Sequence, residues 1–271
     1  MNEKRKPLDL NADDGNWSDY ADEFFPDQTL NDIVKMNLRM SPVQLKNNKK
    51  EFLTKNMLGW LKTAERNNRD PQSYYTKISL KNEGKTNIKR GSHRTFVKTS
   101  LSIDEISSIL YDAFGSDKNT KSRPYGSGGA LFPINVFLIL LNDDCVDGLI
   151  RGAYYYNPMS YSLYCLKQFK DVPNNVIQQA LFPVQKPNSG IAFAYAADLR
   201  KVVKKYNYLG YKNALIEVGL MAQSLKNALS NNLGEYSCQD FNSMMLTKLI
   251  GLDTKNAPVQ MIQWVGKIID D

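Results

Sequence analysis

The chain of 271 residues holds one histidine and three cysteines. With His93 alone, no Ser–His–Asp or Cys–His arrangement exists unless it centres on that residue, and a histidine-rich metal site is excluded. Cys145, Cys165 and Cys238 are far apart, odd in number and form no CxxC pair. That argues against a zinc ribbon or a disulfide framework and fits a reducing compartment. Long apolar runs are also missing. The longest, Ala130 to Leu141, is interrupted by Pro133 and Asn135 and falls short of the roughly 20 residues that span a bilayer. The opening MNEKRKPLDL carries charge but no apolar signal region. The expectation is a soluble, cytoplasmic chain with no membrane contact and no metal. If it is an enzyme, its hard chemistry belongs to a bound organic cofactor.

Hydrophobic residues make up 42% of the chain and charged residues 23%, ordinary proportions for a globular protein able to bury a sizeable core. The net charge of +7 comes from lysines scattered along the whole length, with no block of like charges. No basic stripe with interleaved aromatics accompanies it, so a solvated basic surface is a better reading than a nucleic-acid face. An anionic cofactor or an acidic partner explains the excess equally well.

Two regions differ in texture. Residues 1–85 are polar and irregular, with helical patterns only around Leu30–Leu38 and Phe52–Ala64, and KNEGKTNIK (Lys81 to Lys89) reads as a linker or exposed hairpin. In the extension, Trp17, Tyr20, Phe24 and Phe25 interleave with Asp13, Asp14 and Asp19, the composition of a partner-binding surface or of a wrap around a dimer. From residue 86 to 271 the patterning is stronger. Ser102 and Glu105 form a capping box ahead of Ile106, Ile109, Leu110, Ala113 and Phe114, and Gly115 stops the helix. Ile134–Leu141, Ala153–Tyr156, Ile191–Ala197 and Val259–Val265 read as strands, the second closed by Asn157-Pro158. A long helix runs from Tyr208 to about Asn231, with Tyr211, Leu215, Val218, Ala222, Leu225 and Leu229 on its inward face. The order predicts an α+β domain with a mixed sheet and a long helix packed on it.

The segment RPYGSGGALFPINVFLILL (Arg123 to Leu141) raises the question of a phosphate cradle. A dinucleotide or P-loop glycine cluster follows a strand and opens a helix. Here a helix precedes the cluster, a strand follows it, and Pro133 allows at most a short helical turn at Gly129–Phe132. The structural reading is a turn ahead of a core strand. Backbone without side chains at Gly128 and Gly129, with the Ser127 hydroxyl beside it, also suits a flat polar ligand lying on the main chain. A second cluster, RGSHRTF (Arg90 to Phe96), places two arginines four residues apart. They could fork onto a phosphate or ring carbonyl, or pair with surface acids.

These residues carry a resemblance. RGSHRTF followed by LSIDEISSILYDAFG resembles the RxSxRxF entry of the nitroreductase-like flavoproteins. RPYGSGGALFPINVFLI followed by GAYYYNP is similar to the RPxxSGGALYPxEVF…GxYxY pattern of the SagB-type (McbC-like) azoline dehydrogenases, which act in thiazole/oxazole-modified peptide biosynthesis. KKYNYLGYKNALIEVGLMAQSL resembles that branch's KYxYRGYRxALxExGxxxQN segment. The three matches lie in order between Arg90 and Gly266.

The resemblance implies a nitroreductase-like fold and an FMN-dependent homodimer with each flavin at the subunit interface. It implies that Arg90, Ser92 and Arg94 contact FMN, that Ser127, Gly128 and Gly129 pack against its ring from the other subunit, and that Gln223 belongs to the cofactor site. Lys205 and Tyr206 match the branch's catalytic pair. The implied substrate is a heterocyclised precursor peptide, and the implied partners are a YcaO-type cyclodehydratase and its E1-like, leader-binding subunit. Lysine and tyrosine titrate near 10 when unperturbed, so a base of either type works at neutral pH only where its surroundings activate it. The sequence departs from the pattern at Leu209, where the branch has arginine, at Lys212, and at Ser224, where it has an asparagine whose amide could reach the flavin. GEYSCQDF (Gly234 to Phe241) stands where a glycine-rich loop is common. Two other readings follow: a nitroreductase or NAD(P)H-dependent quinone reductase of the same fold, and a flavin-free scaffold subunit of a peptide-modifying complex.

Overall fold

The computed structural model describes residues 27–40, 55–64, 73, 75–79, 91–181 and 187–268. Arg90, the Lys81–Lys89 linker and the aromatic residues of the extension lie outside them, as do residues 52–54 of the second helical pattern. The helices are Asp27–Arg39 (α1), Lys55–Ala64 (α2), Ile103–Phe114 (α3), Asn174–Leu181 (α4), Leu199–Tyr206 (α5), Tyr208–Ala228 (α6) and Ser243–Leu249 (α7). The strands are Ile134–Leu140 (β1), Gly152–Asn157 (β2), Ser162–Gln168 (β3), Ile191–Ala197 (β4), Leu233–Cys238 (β5) and Val259–Lys267 (β6).

The six strands form one sheet in the order β3-β2-β1-β4-β6-β5. Its centre is apolar on both faces because side chains alternate along each strand. Val136, Leu138, Leu140, Ile191, Phe193 and Tyr195 face the layer that holds α3 and α6. Phe137, Ile139 and the alanines Ala192, Ala194 and Ala196 face α4 and α7. All seven residues of β4 are buried. Buried polar groups in the first layer bond to one another: Tyr195 donates to Gln263 at 2.7 Å, and Gln263 donates to Glu235 at 3.0 Å. This is the expected α+β architecture of helices on a central sheet.

Four details of the expectation change. Every strand pairing is antiparallel, not mixed. The cause is connectivity: 141–151 and 158–161 link neighbouring strands directly, and the α5–α6 crossover joins β4 to the like-directed β5 with β6 inserted antiparallel between them, so no parallel neighbours arise. The GEYSCQDF segment opens as edge strand β5 and not as a loop, because β6 supplies a partner for Leu233 to Cys238. A separate helix, α5, precedes the long one, which ends at Ala228. Leu215 is 39% exposed, since Ala214 and Glu217 take the inward positions beside Tyr211 and Val218.

The capping box is present in full: Ser102 accepts from the Glu105 amide at 3.1 Å and Glu105 accepts from the Ser102 amide at 2.8 Å. Replacing Ser102 with alanine should destabilise the fold by about 1 kcal/mol. In thermal denaturation that is a melting point lower by roughly 2–4 °C for a domain of this size.

Candidate functional site

Strand register decides where the site lies. Ile134 at the start of β1 pairs with Ala197 at the end of β4. The chain entering β1 and the chain leaving β4 therefore emerge side by side, and the Asp198 amide donates to the Pro133 carbonyl at 2.9 Å. The first of these chains carries the glycine cluster, and the second becomes α5. That helix buries Leu199, Val202 and Val203 and leaves Lys204 and Lys205 exposed at its last turn. Gly129 consequently lies against the α5 end: a Cβ there would collide with the Tyr206 hydroxyl and come within 3.0 Å of Lys205 Nζ. Gly129 and the adjacent pair Lys205-Tyr206, all sequence-derived site residues, are thus brought together from distant parts of the chain. Gly128 packs instead on Asn213 of α6, where a Cβ would lie 3.0 Å from the amide nitrogen.

The loop itself is held in an unusual shape. Gly128–Ala130 forms a 3₁₀ turn, and Gly129, Ala130 and Phe132 have φ of 67°, 55° and 45°. Left-handed backbone at non-glycine residues costs about 1–3 kcal/mol each and persists only where surroundings impose it. Here Ser127 accepts from the Phe132 amide at 2.9 Å. Glu217, on α6 and 2% exposed, lies beside the Ser127 hydroxyl and the Ile134 amide, and its Oε1 is buried without a hydrogen-bond partner among the described residues. Burial pushes the Glu217 carboxyl above its usual range, against the opposing influence of the nearby Ser127 hydroxyl and the Arg123 charge. Arg123 donates to the Tyr125 hydroxyl at 2.9 Å and stacks 4.3 Å from the centre of the Phe132 ring. Beside it opens a cleft of about 250 Å³ lined by Arg123, Phe132, Asn135, Tyr155, Tyr156 and Lys201. That is slightly below the size of a drug-sized ligand site and suits a fragment of a larger molecule.

The other expected residues lie elsewhere. Of the RGSHRTF segment, His93 and Arg94 lie at the far edge of the sheet. The His93 amide donates to Glu235 of β5 at 2.7 Å, and Arg94 stacks over Tyr236 at 4.7 Å, with Ser92 and Arg94 both exposed. Tyr236 lies three strands across from β1 and some five residues along, a separation on the order of 20 Å from the glycine loop. Gln223 sits in the second half of α6, exposed and bonded to Asn227. Ser224 turns inward and donates to the Ala113 carbonyl of α3 at 2.8 Å, so this position joins two helices. A larger cleft of about 600 Å³ lies at the opposite end of the sheet, bordered by Phe96, Asn142, Cys145 and Asn188, and holds none of these residues.

Glu217, Asn207 and Arg123 escaped the sequence reading as site residues. Glu217 had a signal, a carboxylate inside the apolar stripe of a helix. Asn207 had none.

No model of a known protein family matches the chain. The chain is 30% identical to the microcin B17-processing protein McbC of Escherichia coli over 184 residues, which are 64% of this chain and 65% of McbC. It is 26% identical to a nitroreductase-like protein of Methanocaldococcus jannaschii, covering 68% of this chain and 89% of the other. Among solved structures, the E. coli microcin synthetase McbBCD complex with truncated pro-MccB17 bound contains a chain that superposes with a TM-score of 0.72 at 24% identity. That match covers 92% of this chain and 97% of that one. A nitroreductase-like structure from Anabaena variabilis gives a TM-score of 0.56 at 21% identity over 67% and 37%. A six-stranded sheet between helix layers, with the glycine loop and the α5 terminus in contact, is thus built on the nitroreductase fold. Within that fold the chain is McbC-like.

Two variants test the geometry. Gly129→Ala should cost about 1–2 kcal/mol from backbone conformation alone, with the Tyr206 collision added. Gly126→Ala, which meets nothing within 4 Å, should stay within about 0.5 kcal/mol. Denaturant midpoints separate the two. Glu217 gives a pH test. A carboxyl raised by burial keeps its proton in the folded state where the unfolded chain has released it. Its contribution to stability is therefore full below the free-glutamate range, about 4.3, and is lost as pH rises through the folded value. Glu217→Gln never ionises, so its melting point relative to wild type should improve between pH 4 and pH 7.

Proposed function

We propose that the chain is an FMN-dependent dehydrogenase that oxidises thiazoline or oxazoline rings in a ribosomally made precursor peptide to thiazoles or oxazoles. The observation that carries this reading is the packing of the bare Gly129 backbone against Lys205 Nζ and the Tyr206 hydroxyl. It sets a possible proton acceptor and a hydroxyl beside a stretch of main chain on which a flat ring can lie. The likeness to McbC supports the substrate class.

The residues present fit FMN as two half-sites. Exposed Arg94 with Ser92 offers cationic and hydroxyl donors for a phosphate or ring carbonyl, and the Ser127-Gly128-Gly129 loop offers a wall free of large side chains. About 20 Å apart in one chain, the two halves would face one flavin only across a pair of subunits. The apolar stripe on α6 supports that pairing: Leu209, Ile216 and Leu220 are 54%, 53% and 44% exposed. In this reading residues from about 86 onward form the FMN-binding domain, with Arg90 and Gln223 completing the cofactor's surroundings, and the extension folds α1 onto it.

When bound, FMN supplies the acceptor for a hydride from the azoline ring. The second hydrogen leaves as a proton from the ring carbon. Lys205 Nζ takes that proton and the Tyr206 hydroxyl positions or shares it. Lys205 is exposed in the single chain, so the desolvation that activates an amine comes from whatever covers it in the assembled site. A YcaO-type cyclodehydratase with its E1-like subunit would deliver the heterocyclised peptide, a partnership supported by the likeness to a chain of the McbBCD complex. The scaffold reading rested partly on Ser224, and its bond to α3 gives that position a packing role instead.

Lys205→Ala should remain folded and yellow while azoline oxidation, followed by loss of 2 Da per ring in mass spectra, falls by roughly 10² to 10⁴. Undiminished turnover would overturn the assignment of the base. Colourless wild-type protein would favour the scaffold, and rapid consumption of NADH or NADPH without peptide would favour a nitroreductase or quinone reductase.

A further inference from the structure

We propose that α1 is a latch on the reactive corner, and that Thr29 is a positioning residue acting through Asn207. α5 and α6 are joined by Asn207 alone, whose φ of 53° and ψ of −134° are an unusual backbone conformation for a residue with a side chain. The residue before it is Tyr206 and the one before that Lys205. Any relaxation of the joint therefore turns the last turn of α5 away from Gly129. Within α5 and α6 the joint has only short-range backbone support, from the Asn207 amide to Val203 and from the Gly210 amide to Asn207.

The remaining restraint comes from α1. Thr29, 3% exposed, donates its hydroxyl to Asn207 Oδ1 at 2.7 Å. On the α6 side of the joint, Tyr208 donates to Asp32 at 2.9 Å and Tyr211 to Asn37 at 2.6 Å. Thr29 and Asp32 lie one turn apart and Asn37 five residues further on, and Leu30 and Ile33 bury on the core beside them. α1 is thus anchored by apolar burial and presents three polar side chains to the corner. The Thr29 and Tyr211 bonds are both partly shielded from water, whereas the Tyr208–Asp32 bond is exposed, and of the two shielded bonds Thr29's is the one made to the joint itself.

The latch rests on the reading of Lys205 and Tyr206 as the reactive pair, and the experiment separates the two. Thr29→Val removes the hydroxyl at constant shape, and Thr29→Ser restores it. By hydrogen exchange, amides of 207–210 in Thr29→Val should exchange on the order of tenfold faster, with β1 and β4 amides unchanged and Thr29→Ser close to wild type. On azoline peptide, kcat should fall by roughly tenfold to a hundredfold at constant KM, with recovery in Thr29→Ser. A general loss of folding would instead accelerate exchange everywhere and reduce the active fraction. Unchanged exchange at 207–210 in Thr29→Val would overturn the latch whatever the enzyme does. Altered exchange in a protein with no azoline turnover would leave the latch standing and remove the proposed function. In Asn207→Gly, which needs no outside hold for a positive φ, adding Thr29→Val should accelerate exchange no further, and additive effects would count against coupling through Asn207.

Discussion

Burial of β4 on both faces is the constraint from which the rest of the molecule takes its position. Its residues alternate between large and small: Ile191, Phe193 and Tyr195 fill the layer under α3 and α6, while Ala192, Ala194 and Ala196 leave room for Trp264 and Ile262 of the neighbouring strand and the short helices behind them. A strand fully buried on both sides cannot slip by one residue without exchanging those two sets, so its register against β1 and β6 is sharply specified. That register, in turn, fixes which chain ends meet. The loop before β1 and the helix after β4 share one end of the sheet because Ile134 and Ala197 are partners, and the proposed reactive corner exists because of that pairing.

The corner is made of parts that are individually unfavourable. A loop with three left-handed residues, a carboxyl buried in a helix face and a one-residue joint with positive φ all belong to the segments that meet around Lys205 and Tyr206. Two of them are held by something else. Ser127 accepts from the Phe132 amide within the loop, the glycine backbone at 129 makes room for the Tyr206 hydroxyl, and α1 holds the joint. Strain supported in this way is a common property of functional sites, where local structure is chosen for geometry and the surroundings bear the cost.

Local chemistry made part of this legible from sequence. The Ser102–Glu105 box, the doubly apolar β1 and the turn at Asn157-Pro158 depend on neighbours in the chain, and all three stand where expected. The edge strands did not announce themselves. β3 is largely exposed and β5 contains Gly234 and Glu235, so neither carries a clear alternation, and their strand character comes from pairing with β2 and β6. The order of motifs pointed to the glycine loop and the Lys-Tyr pair, but that they touch follows only from β1 and β4 register. The joint at Asn207 was hidden because its reason is a threonine on a distant helix.

Charge and topology together bear on the proposed site, which one chain would hold only as two halves. The glycine loop and Lys205 occupy one end of the central strands, whereas Arg94 lies over the edge strand β5, and a sheet with β4 and β6 between them cannot bring those surfaces together by local motion. A ligand touching both would have to be shared between two copies, and the exposed apolar residues of α6 mark a surface through which such copies could associate. Lys205 would gain from the same proposed arrangement. An exposed amine becomes an effective base when a second surface excludes water from it, so pairing of subunits would supply both the missing contacts and the desolvation that the single chain lacks.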